Sequence, residues 1–177
     1  MSTIINGSSP SITFSDSTTQ TTAFTGSASQ ITSGTLPSAQ LPTGSVLQVV
    51  QATTTNGPST TSTSFVTTSF SGSITPKFST SKILAIVTGQ LYETAASNQG
   101  FITLYRGGSN LGDATQGFAP NVYSGSNITG GASFSYLDSP ATTSSTTYTV
   151  YFRTTGGTVY FNGANGLATI ILMEIAG

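Results

Sequence analysis

The sequence of 177 residues contains no cysteine, histidine or tryptophan, and only 5 % of its residues carry a charge. Without cysteine the chain can form neither a disulfide nor a thiolate site, so cysteine usage indicates no redox compartment. Without histidine it lacks the commonest general base and metal ligand, and no Ser-His or Cys-His pair can form. These absences exclude the usual routes to nucleophilic catalysis, and we expect no enzymatic activity and no cofactor.

Charge of either sign is scarce. Four Lys and Arg residues stand against five Asp and Glu residues, which gives a net charge of −1. Binding to nucleic acid or to an anionic membrane requires clustered cations, and the sequence has no such cluster. The longest apolar run, near Lys82–Thr88, is too short to span a bilayer. Met1–Thr3 begin no charged segment followed by an apolar core, so we expect no secretory signal.

The acidic residues are too dispersed for local sequence to indicate a site. They are Asp16, Glu93, Asp113, Asp138 and Glu174. Neither the paired carboxylates of a glycosidase nor the spacing of a calcium loop is present, so we assign no catalytic and no metal-binding residue. Asp138, in "LDSP", fits a turn in which its carboxylate accepts a backbone hydrogen bond. Glu174 lies on an apolar strand, where it either forms a buried ion pair with Arg106 or Arg153 or reaches water at the strand end.

The abundant residue types of the sequence are mostly those that favour β-strands. Serine and threonine form about a third of the chain, and 10 Phe with 7 Tyr supply the aromatics that disordered segments lack. Strands are predicted at Ser45–Thr53, Thr63–Phe70, Ser73–Phe78, Ser81–Glu93, Gln99–Arg106, Ala132–Ser139, Thr146–Thr154, Thr158–Asn162 and Leu167–Ile175. Gly107-Gly108 and Gly156-Gly157 are predicted to form hairpin turns, because such turns need positive φ. This series predicts an all-β protein, an antiparallel β-sandwich of jelly-roll type.

Residues 1–43 differ from the strand-rich remainder, and we interpret them as an extended N-terminal arm that precedes a β-sandwich head, residues 44–177. "SITFSDS" predicts one short strand that ends in a turn at Asp16. The strongly apolar side chains of the arm follow neither helical nor strand spacing; they are Ile12, Phe14, Ile31, Leu36 and Leu41. They pack either within the chain or, as we favour, against other copies or a neighbouring protein.

Two strands of the head are apolar on both faces. In "FITLYR", Ile102 and Leu104 share one face and Phe101 lies on the other, and in "ATIILME" Ile171 and Met173 lie opposite Ile170 and Leu172. A sheet with one wet face would alternate apolar with polar residues. We therefore predict that Ile102, Leu104, Ile171 and Met173 form a subunit interface. The alternative is a monomer whose loops fold back over the sheet.

Three long loops have the composition of adaptable binding surfaces. They are Glu93–Gly100, Gly107–Gly131 and Pro140–Ser145, rich in small residues. Asn110, Asn121, Tyr123 and Asn127 are the candidate receptor-binding residues, since Tyr with Ser, Gly and Asn is typical of adaptable recognition loops. Ordinary solvated loops share this composition and are the alternative. For a carbohydrate-binding module, Tyr123 and Tyr136 are the candidate residues for stacking on sugars.

Several motifs resemble those of bacteriophage tail-fibre and other virion structural proteins of marine and cyanobacterial type. "ITFSDSTTQTTA" is similar to their "ITFPDGTTQTTA" segment, with Ser15 and Ser17 where Pro and Gly are usual. "ITSGTLPSAQLPTGSVLQVVQ" resembles their connector. The motifs "TPKFSTSKILAIVTG", "LYRGGSNLG", "YLDSPATTSSTTYTVYF" and "ATIILMEIAG" resemble the β domain that closes many phage fibres. The resemblance implies a homotrimeric virion protein with an extended N-terminal part, and it implies no catalytic residues.

The function expected from these patterns is a non-enzymatic phage structural protein on the exterior of the virion. It would be a short trimeric fibre that contacts a glycan or protein of the host surface, with the arm attached to a tail or capsid protein. One alternative is a capsid decoration protein or head fibre at a symmetry axis, which the short arm favours. The other is a carbohydrate-binding module. The expected partners are further copies of the chain, other virion proteins and the host surface, with no nucleic acid and no membrane insertion.

Overall fold

The computed structural model describes residues 12–13, 17, 19–20, 37–95, 97–118, 122–123, 127–163 and 166–177. The chain divides into two compact units, Met1–Pro37 and Ser38–Gly177. In the first unit, strands β1 (Ile12–Thr13) and β2 (Thr19–Gln20) pair antiparallel. Of the predicted arm residues, Phe14, Ile31 and Leu36 and the side chain of Ile12 lie outside the described residues. Leu41 belongs to the second unit.

Ser17 lies between β1 and β2 with a φ of 65°. This is the left-handed region, which glycine adopts without the penalty that a Cβ atom imposes. The phage segment that this stretch resembles has Gly at the same position. Ser17 adopts this conformation at a local cost that a glycine would not have. Asp16, where the sequence predicts a turn, lies outside the described residues.

Where the structure describes it, the second unit contains eleven strands, numbered on from the first two. They are β3 (Val46–Thr54), β4 (Ser59–Thr60), β5 (Val66–Ile74), β6 (Lys82–Glu93), β7 (Gln99–Arg106), β8 (Ser109–Asn110), β9 (Val122–Tyr123), β10 (Ile128–Asp138), β11 (Thr146–Thr154), β12 (Val159–Phe161) and β13 (Ala168–Ile175). A 3₁₀ turn at Ser38–Gln40 precedes them, and no α-helix occurs among the described residues.

The eleven strands form two antiparallel sheets. In the six-stranded sheet the order is β3-β13-β6-β12-β4, and β10 pairs with β6 as well. On one edge of β6, β13 pairs with Lys82–Thr88 and β12 pairs with Leu91–Glu93, while β10 follows the strand from Ile83 to Glu93. The five-stranded sheet has the order β5-β11-β7-β8, and β9 pairs with β7. The prediction of an all-β antiparallel sandwich is confirmed.

Alternate residues of each long strand point into the space between the sheets. Ala168, Ile170, Leu172 and Glu174 of β13 are buried, whereas the residues between them are only half-buried. The core cluster combines residues of both sheets: Phe70, Ile74, Ile83, Ala85, Val87, Leu91, Ile102, Leu104, Tyr148, Val150, Phe152, Phe161, Ile170 and Leu172. Full burial of one such large apolar side chain contributes about 1.5–3 kcal/mol. The alternating pattern thus defines which strand faces remain on the outside.

Ile102 and Leu104 do not lie at a subunit interface, contrary to the sequence-based prediction. Both side chains are fully buried inside the chain's own core. On β7 the apolar residues Phe101 and Leu104 alternate across both faces, so the pattern alone did not indicate which face meets the second sheet. Ile171 and Met173, the other two predicted interface residues, are half-buried on the outer face of β13.

The structure confirms one of the two predicted glycine hairpins and not the other. Gly107-Gly108 connects β7 with its neighbour β8, and Gly107 has a φ of 58°, so that hairpin is confirmed. Gly156-Gly157 connects β11 of the five-stranded sheet with β12 of the six-stranded sheet and forms no hairpin. Gly157 has a φ of 70°, and a Cβ on Gly156 would lie 2.6 Å from Asn98 Oδ1. The two glycines therefore lie in a connection that crosses from one sheet to the other.

Glu174 is fully buried without the arginine partner that the sequence suggested. Its carboxylate accepts hydrogen bonds from Gln48 Nε2 at 2.6 Å, Ser81 Oγ at 2.7 Å, and the backbone N–H groups of Lys77 at 2.6 Å and Phe78 at 3.4 Å. Burial raises the pKa of Glu174, but these hydrogen bonds outweigh it, and the pKa lies below its ordinary 4.5. Neutral donors can satisfy a buried carboxylate, so no cation is needed.

Asp138 ends β10, and the residue two positions on is Pro140, which has no N–H to donate to its carboxylate, so the turn interpretation was wrong. Its carboxylate accepts from Arg106 Nη1 at 2.7 and 2.8 Å and from the buried Tyr148 hydroxyl at 2.6 Å. Burial, together with the hydrogen bond to Asp138, raises the pKa of Tyr148 far above its ordinary value. Arg106 therefore pairs with Asp138, and this cluster closes the sandwich where β10 ends.

Candidate functional site

Of the four predicted receptor-binding residues, the structure describes the side chains of Asn110 and Asn127. Asn110 is half-buried, and its Oδ1 accepts hydrogen bonds from Thr103 Oγ1 at 2.6 Å and from Gly112 N at 3.1 Å. Asn127 is exposed and accepts a hydrogen bond from the Tyr92 hydroxyl at 3.3 Å. Asn121 and the side chain of Tyr123 lie outside the described residues. Asn110 thus shapes its own loop.

Tyr136, the other residue considered for sugar stacking, lies on the inner face of β10. Its ring is half-buried and packs 5.2 Å from the ring of Phe118. Phe118 also stacks on Phe134 at 4.8 Å, with the two rings nearly parallel. These three rings fill one edge of the sandwich, so Tyr136 is part of the packing there.

The outer face of the six-stranded sheet carries an apolar patch. Val49, Met173, Leu84 and Leu137 are direct cross-strand partners in one row, and Ile171 lies opposite Ile86 in the next row. Val49 is 55 % exposed and Leu137 49 %. We call this surface the apolar outer face; it comprises Val46, Val49, Leu84, Ile86, Leu137, Ile171, Met173 and Ile175.

The same face becomes polar away from this patch. The hydroxyls of Thr88 and Thr169 lie 2.7 Å apart in the next row, and farther along the rings of Tyr92 and Tyr160 lie 5.7 Å apart. Within the described strands, Lys82 is the only charged residue on this face. A surface that is apolar and almost uncharged can pack against another protein without desolvating ions.

The outer face of the five-stranded sheet carries a different feature, an open cleft of about 370 Å³. Its lining residues are Thr63, Ser64, Phe65, Tyr105, Ala114, Thr115 and Arg153. Tyr105 stacks on Tyr151 of the neighbouring strand, with 3.9 Å between ring centroids and 20° between ring planes. We call these residues the aromatic cleft. It combines two half-buried aromatic residues with hydroxyl groups and one guanidinium.

Arg153 holds the walls of the aromatic cleft together. Its Nε donates to the carbonyl of Thr115 at 2.8 Å, its Nη2 donates to the same oxygen, and its Nη1 donates to the carbonyl of Thr63 at 3.3 Å. The guanidinium lies 4.2 Å from the ring centroid of Phe101 and 5.5 Å from that of Phe65. Burial lowers the pKa of Arg153, and the nearby charge of Asp113 partly opposes this.

Asp113 fixes the loop that forms one wall. Its Oδ1 accepts from Thr115 Oγ1 at 2.7 Å, Thr115 N at 2.8 Å and Gln116 N at 2.7 Å. These hydrogen bonds, chiefly the one from the Thr115 side chain, hold the pKa of Asp113 below its ordinary value. Gly117 closes the loop with a φ of 65°, and a Cβ there would clash with the carbonyl oxygen of Ile102. This wall of the cleft is therefore a turn that side-chain hydrogen bonds and Gly117 hold in place.

The sequence pattern did not indicate the aromatic cleft. The sequence assigned Arg153 only as a possible partner for Glu174, and it assigned no role to Tyr105. A usable signal existed, since β7 and β11 both carry Tyr and Thr on alternate positions. What the sequence lacked was the register, which places Tyr151 opposite Thr103 and Arg153 opposite Phe101.

In the part of the chain that the structure describes, no group of three or more acidic residues could hold a metal ion. Among the same residues, no helix has the length and apolar character to cross a membrane. No protein-family model matches the sequence, and no curated protein matches it.

Among solved structures, the chain is similar to the VP2 subviral particle of infectious bursal disease virus. The TM-score is 0.43 and the identity 15 %, over 73 % of this chain and 33 % of that one. The Gt strain of the same virus gives a TM-score of 0.40 and 12 % identity, over 82 % of this chain and 42 % of that one. The present chain thus spans less than half the length of either match, and its function has to be inferred from its own residues.

Proposed function

We propose that this chain is a non-enzymatic structural protein of a phage particle. In this proposal it forms a short homotrimeric fibre, its β head is displayed on the outside of the virion and contacts the host surface, and its N-terminal arm attaches it to the particle. The resemblance of its motifs to those of phage fibres supports this role. The structural observation that supports it best is the apolar outer face.

The apolar outer face is a reason to expect that the chain associates with other copies of itself or with another protein. Contiguous exposed apolar surface on a soluble protein commonly marks an interaction site. Each Å² removed from water contributes about 25 cal/mol, so burying several half-exposed Val, Leu, Ile and Met side chains offsets much of the cost of association. Other copies of the chain are suitable partners, because Lys82 is the only charge among the described residues of the face and little repulsion would arise.

Light scattering on the purified full-length chain tests the assembly. A homotrimer has three times the chain mass of 18.0 kDa. We expect this mass at micromolar concentration, and a monomer there would contradict the proposal.

A pull-down against purified capsids and purified tails tests the virion role and its location. Tail binding agrees with a fibre, and capsid binding agrees with the alternative of a decoration protein. In either case the variant that lacks residues 1–37 should not bind, because the arm is proposed to make the attachment. Binding of the full chain to neither particle part would refute the virion role.

A further inference from the structure

We propose that the aromatic cleft binds neutral saccharides. This proposal rests on the proposed function for its biological setting, a head displayed on a particle, and it specifies the chemistry of the surface that the head contacts. The cleft lies on the five-stranded sheet, whereas the apolar outer face lies on the other sheet. Both surfaces can therefore be occupied in one molecule.

Tyr105 provides the platform, and Tyr151 supports it. Tyr105 lines the cleft and is half-buried, and the 3.9 Å stacking on Tyr151 holds its ring in a fixed orientation. One side of a pyranose ring presents C–H groups, which carry small positive partial charges and pack on the negative face of an aromatic ring. Because the platform is already rigid, little side-chain entropy is lost on binding.

The rim of the cleft supplies hydrogen-bonding groups for sugar hydroxyls. The side chains of Thr63, Ser64 and Thr115 are exposed beside the rings. The three hydrogen bonds of Arg153 leave further guanidinium N–H groups without an acceptor among the described residues. Hydroxyls both donate and accept, so a saccharide can satisfy both kinds of group. A purely apolar ligand would leave them unpaired.

The charges of the cleft favour a neutral ligand. Arg153 is the only cation among the described residues that line it, and the carboxylate of Asp113 lies close enough to interact with that guanidinium. The pair reduces the local field that would attract an acidic sugar or a phosphate. A volume of about 370 Å³ falls within the range of small-ligand sites and accommodates one or two sugar rings.

Calorimetric titration of the full-length chain with defined oligosaccharides tests the proposal. The neutral probes are maltohexaose, cellohexaose, mannohexaose, xylohexaose and N-acetylchitohexaose, and the acidic probe is hexagalacturonate. We expect at least one neutral probe to bind. Tyr105→Ala should weaken that binding about tenfold or more, whereas Tyr105→Phe, which keeps the ring, should stay within about threefold of the parent chain.

Tyr160→Ala is the matched control. Tyr160 also belongs to a pair of packed tyrosines on an outer strand face, 5.7 Å from Tyr92, but it lies on the six-stranded sheet away from the cleft. It should leave saccharide binding unchanged. Equal loss in Tyr105→Ala and Tyr160→Ala would refute the assignment to the cleft, and circular dichroism shows whether each variant is folded.

Three results would overturn the proposal: no neutral probe binds at millimolar concentration, binding survives Tyr105→Ala, or only hexagalacturonate binds. Its failure is distinguishable from failure of the proposed function. A trimeric chain that binds capsids or tails but no saccharide refutes the cleft proposal alone. A monomer that binds neither particle part, yet binds a neutral probe through Tyr105, refutes the virion role alone.

Discussion

Glu174 is a buried carboxylate whose described partners are all uncharged, and this has consequences for the pH dependence of the fold. Its four hydrogen bonds join β13 to Gln48 of β3 and to the segment Lys77–Ser81 that precedes β6. The donors act on the charged form, which is why the pKa of Glu174 is depressed. Protonation would weaken the bonds that join these three parts of the chain.

Acid should therefore destabilise the protein through Glu174. The pKa of this group is lower in the folded than in the unfolded state, so its contribution is fully present above pH 4.5 and is lost as the pH falls through the folded-state value. We expect Glu174→Gln to cost about 2 kcal/mol at pH 7, the usual range for hydrogen bonds to a charged group. Urea unfolding at several pH values measures this. A Gln variant that loses stability in acid as steeply as the parent would contradict the prediction.

The hydrogen bond of the Tyr148 hydroxyl supports a second prediction about a single residue. Its buried hydroxyl donates to Asp138 Oδ2 at 2.6 Å, so Tyr148→Phe leaves that carboxylate oxygen without this donor. We expect a loss of about 1–3 kcal/mol of unfolding free energy. Tyr151→Phe, on the outer face of the same strand, is the control and should change stability by less than about 0.5 kcal/mol. Equal effects in both variants would show that the Asp138 contact contributes nothing.

At the level of the strands, a substitution in the apolar outer face tests directly whether this surface mediates assembly. Met173 is half-buried at the centre of the row that joins Val49 to Leu137. Met173→Lys should leave the strand paired but place an ammonium in the proposed interface, which shifts the oligomer towards monomer because a buried unpaired charge is costly. Light scattering reads the mass. Ser71→Lys, at an exposed position of β5 on the other sheet, should not change it.

A Met173→Lys protein that keeps the mass of the parent oligomer would show that the subunits meet elsewhere. Circular dichroism of both variants separates loss of assembly from loss of fold. The comparison is informative because each lysine replaces an uncharged outer-face residue of a paired strand.

The positions of most strands could be predicted, and their partners could not. The prediction Thr146–Thr154 coincides with β11, and Gln99–Arg106 coincides with β7. However, Thr63–Phe70 and Ser73–Phe78 were predicted as two strands where β5 runs from Val66 to Ile74. Ser69 has a φ of 63° beside a shift in the pairing with β11, so the strand continues through an irregularity. Local patterns report burial, whereas pairing between distant strands depends on the whole fold.

The candidate site was harder to predict than the strands for the same reason. The loop asparagines were reasonable candidates on composition, yet Asn110 is occupied by hydrogen bonds to its own loop and to Thr103. The aromatic cleft depends on β7 and β11 being neighbours, a pairing that no local spacing in the sequence specifies. Ile171 and Met173 were predicted to lie at an interface because most of β13 is apolar on both faces, and the structure places them half-buried on the apolar outer face.

At the scale of the whole molecule, the connection before β3 belongs to the head. Leu41 is half-buried beside a cavity of about 150 Å³ that Phe78 and Ala176 also line. Gly44 N donates to the carbonyl of Ala176 at 2.8 Å, and Ala176 N donates to the carbonyl of Ser45 at 2.9 Å. The second compact unit accordingly begins at Ser38, whereas the sequence-based prediction ended the arm at residue 43.

Two truncations test where the head begins. Removal of residues 1–37 should leave the unfolding free energy of the head unchanged. Removal of residues 1–43 should lower it by about 1–2 kcal/mol, because Leu41 is lost from the surface of the core. Urea unfolding of the two variants gives the difference. Identical curves would mean that Leu41 contributes nothing to the head.

The position of β13 has a consequence for how the head is made. This strand pairs with β3 on one side and β6 on the other, although both precede it by a long stretch of chain. Until Ala168–Ile175 have been synthesised, β3 and the first half of β6 lack their shared neighbour, and a nascent chain exposes two unpaired backbone edges. Such long-range closure is slow and leaves intermediates prone to aggregation. The six-stranded sheet can therefore close only late in folding, once β13 has been inserted between β3 and β6.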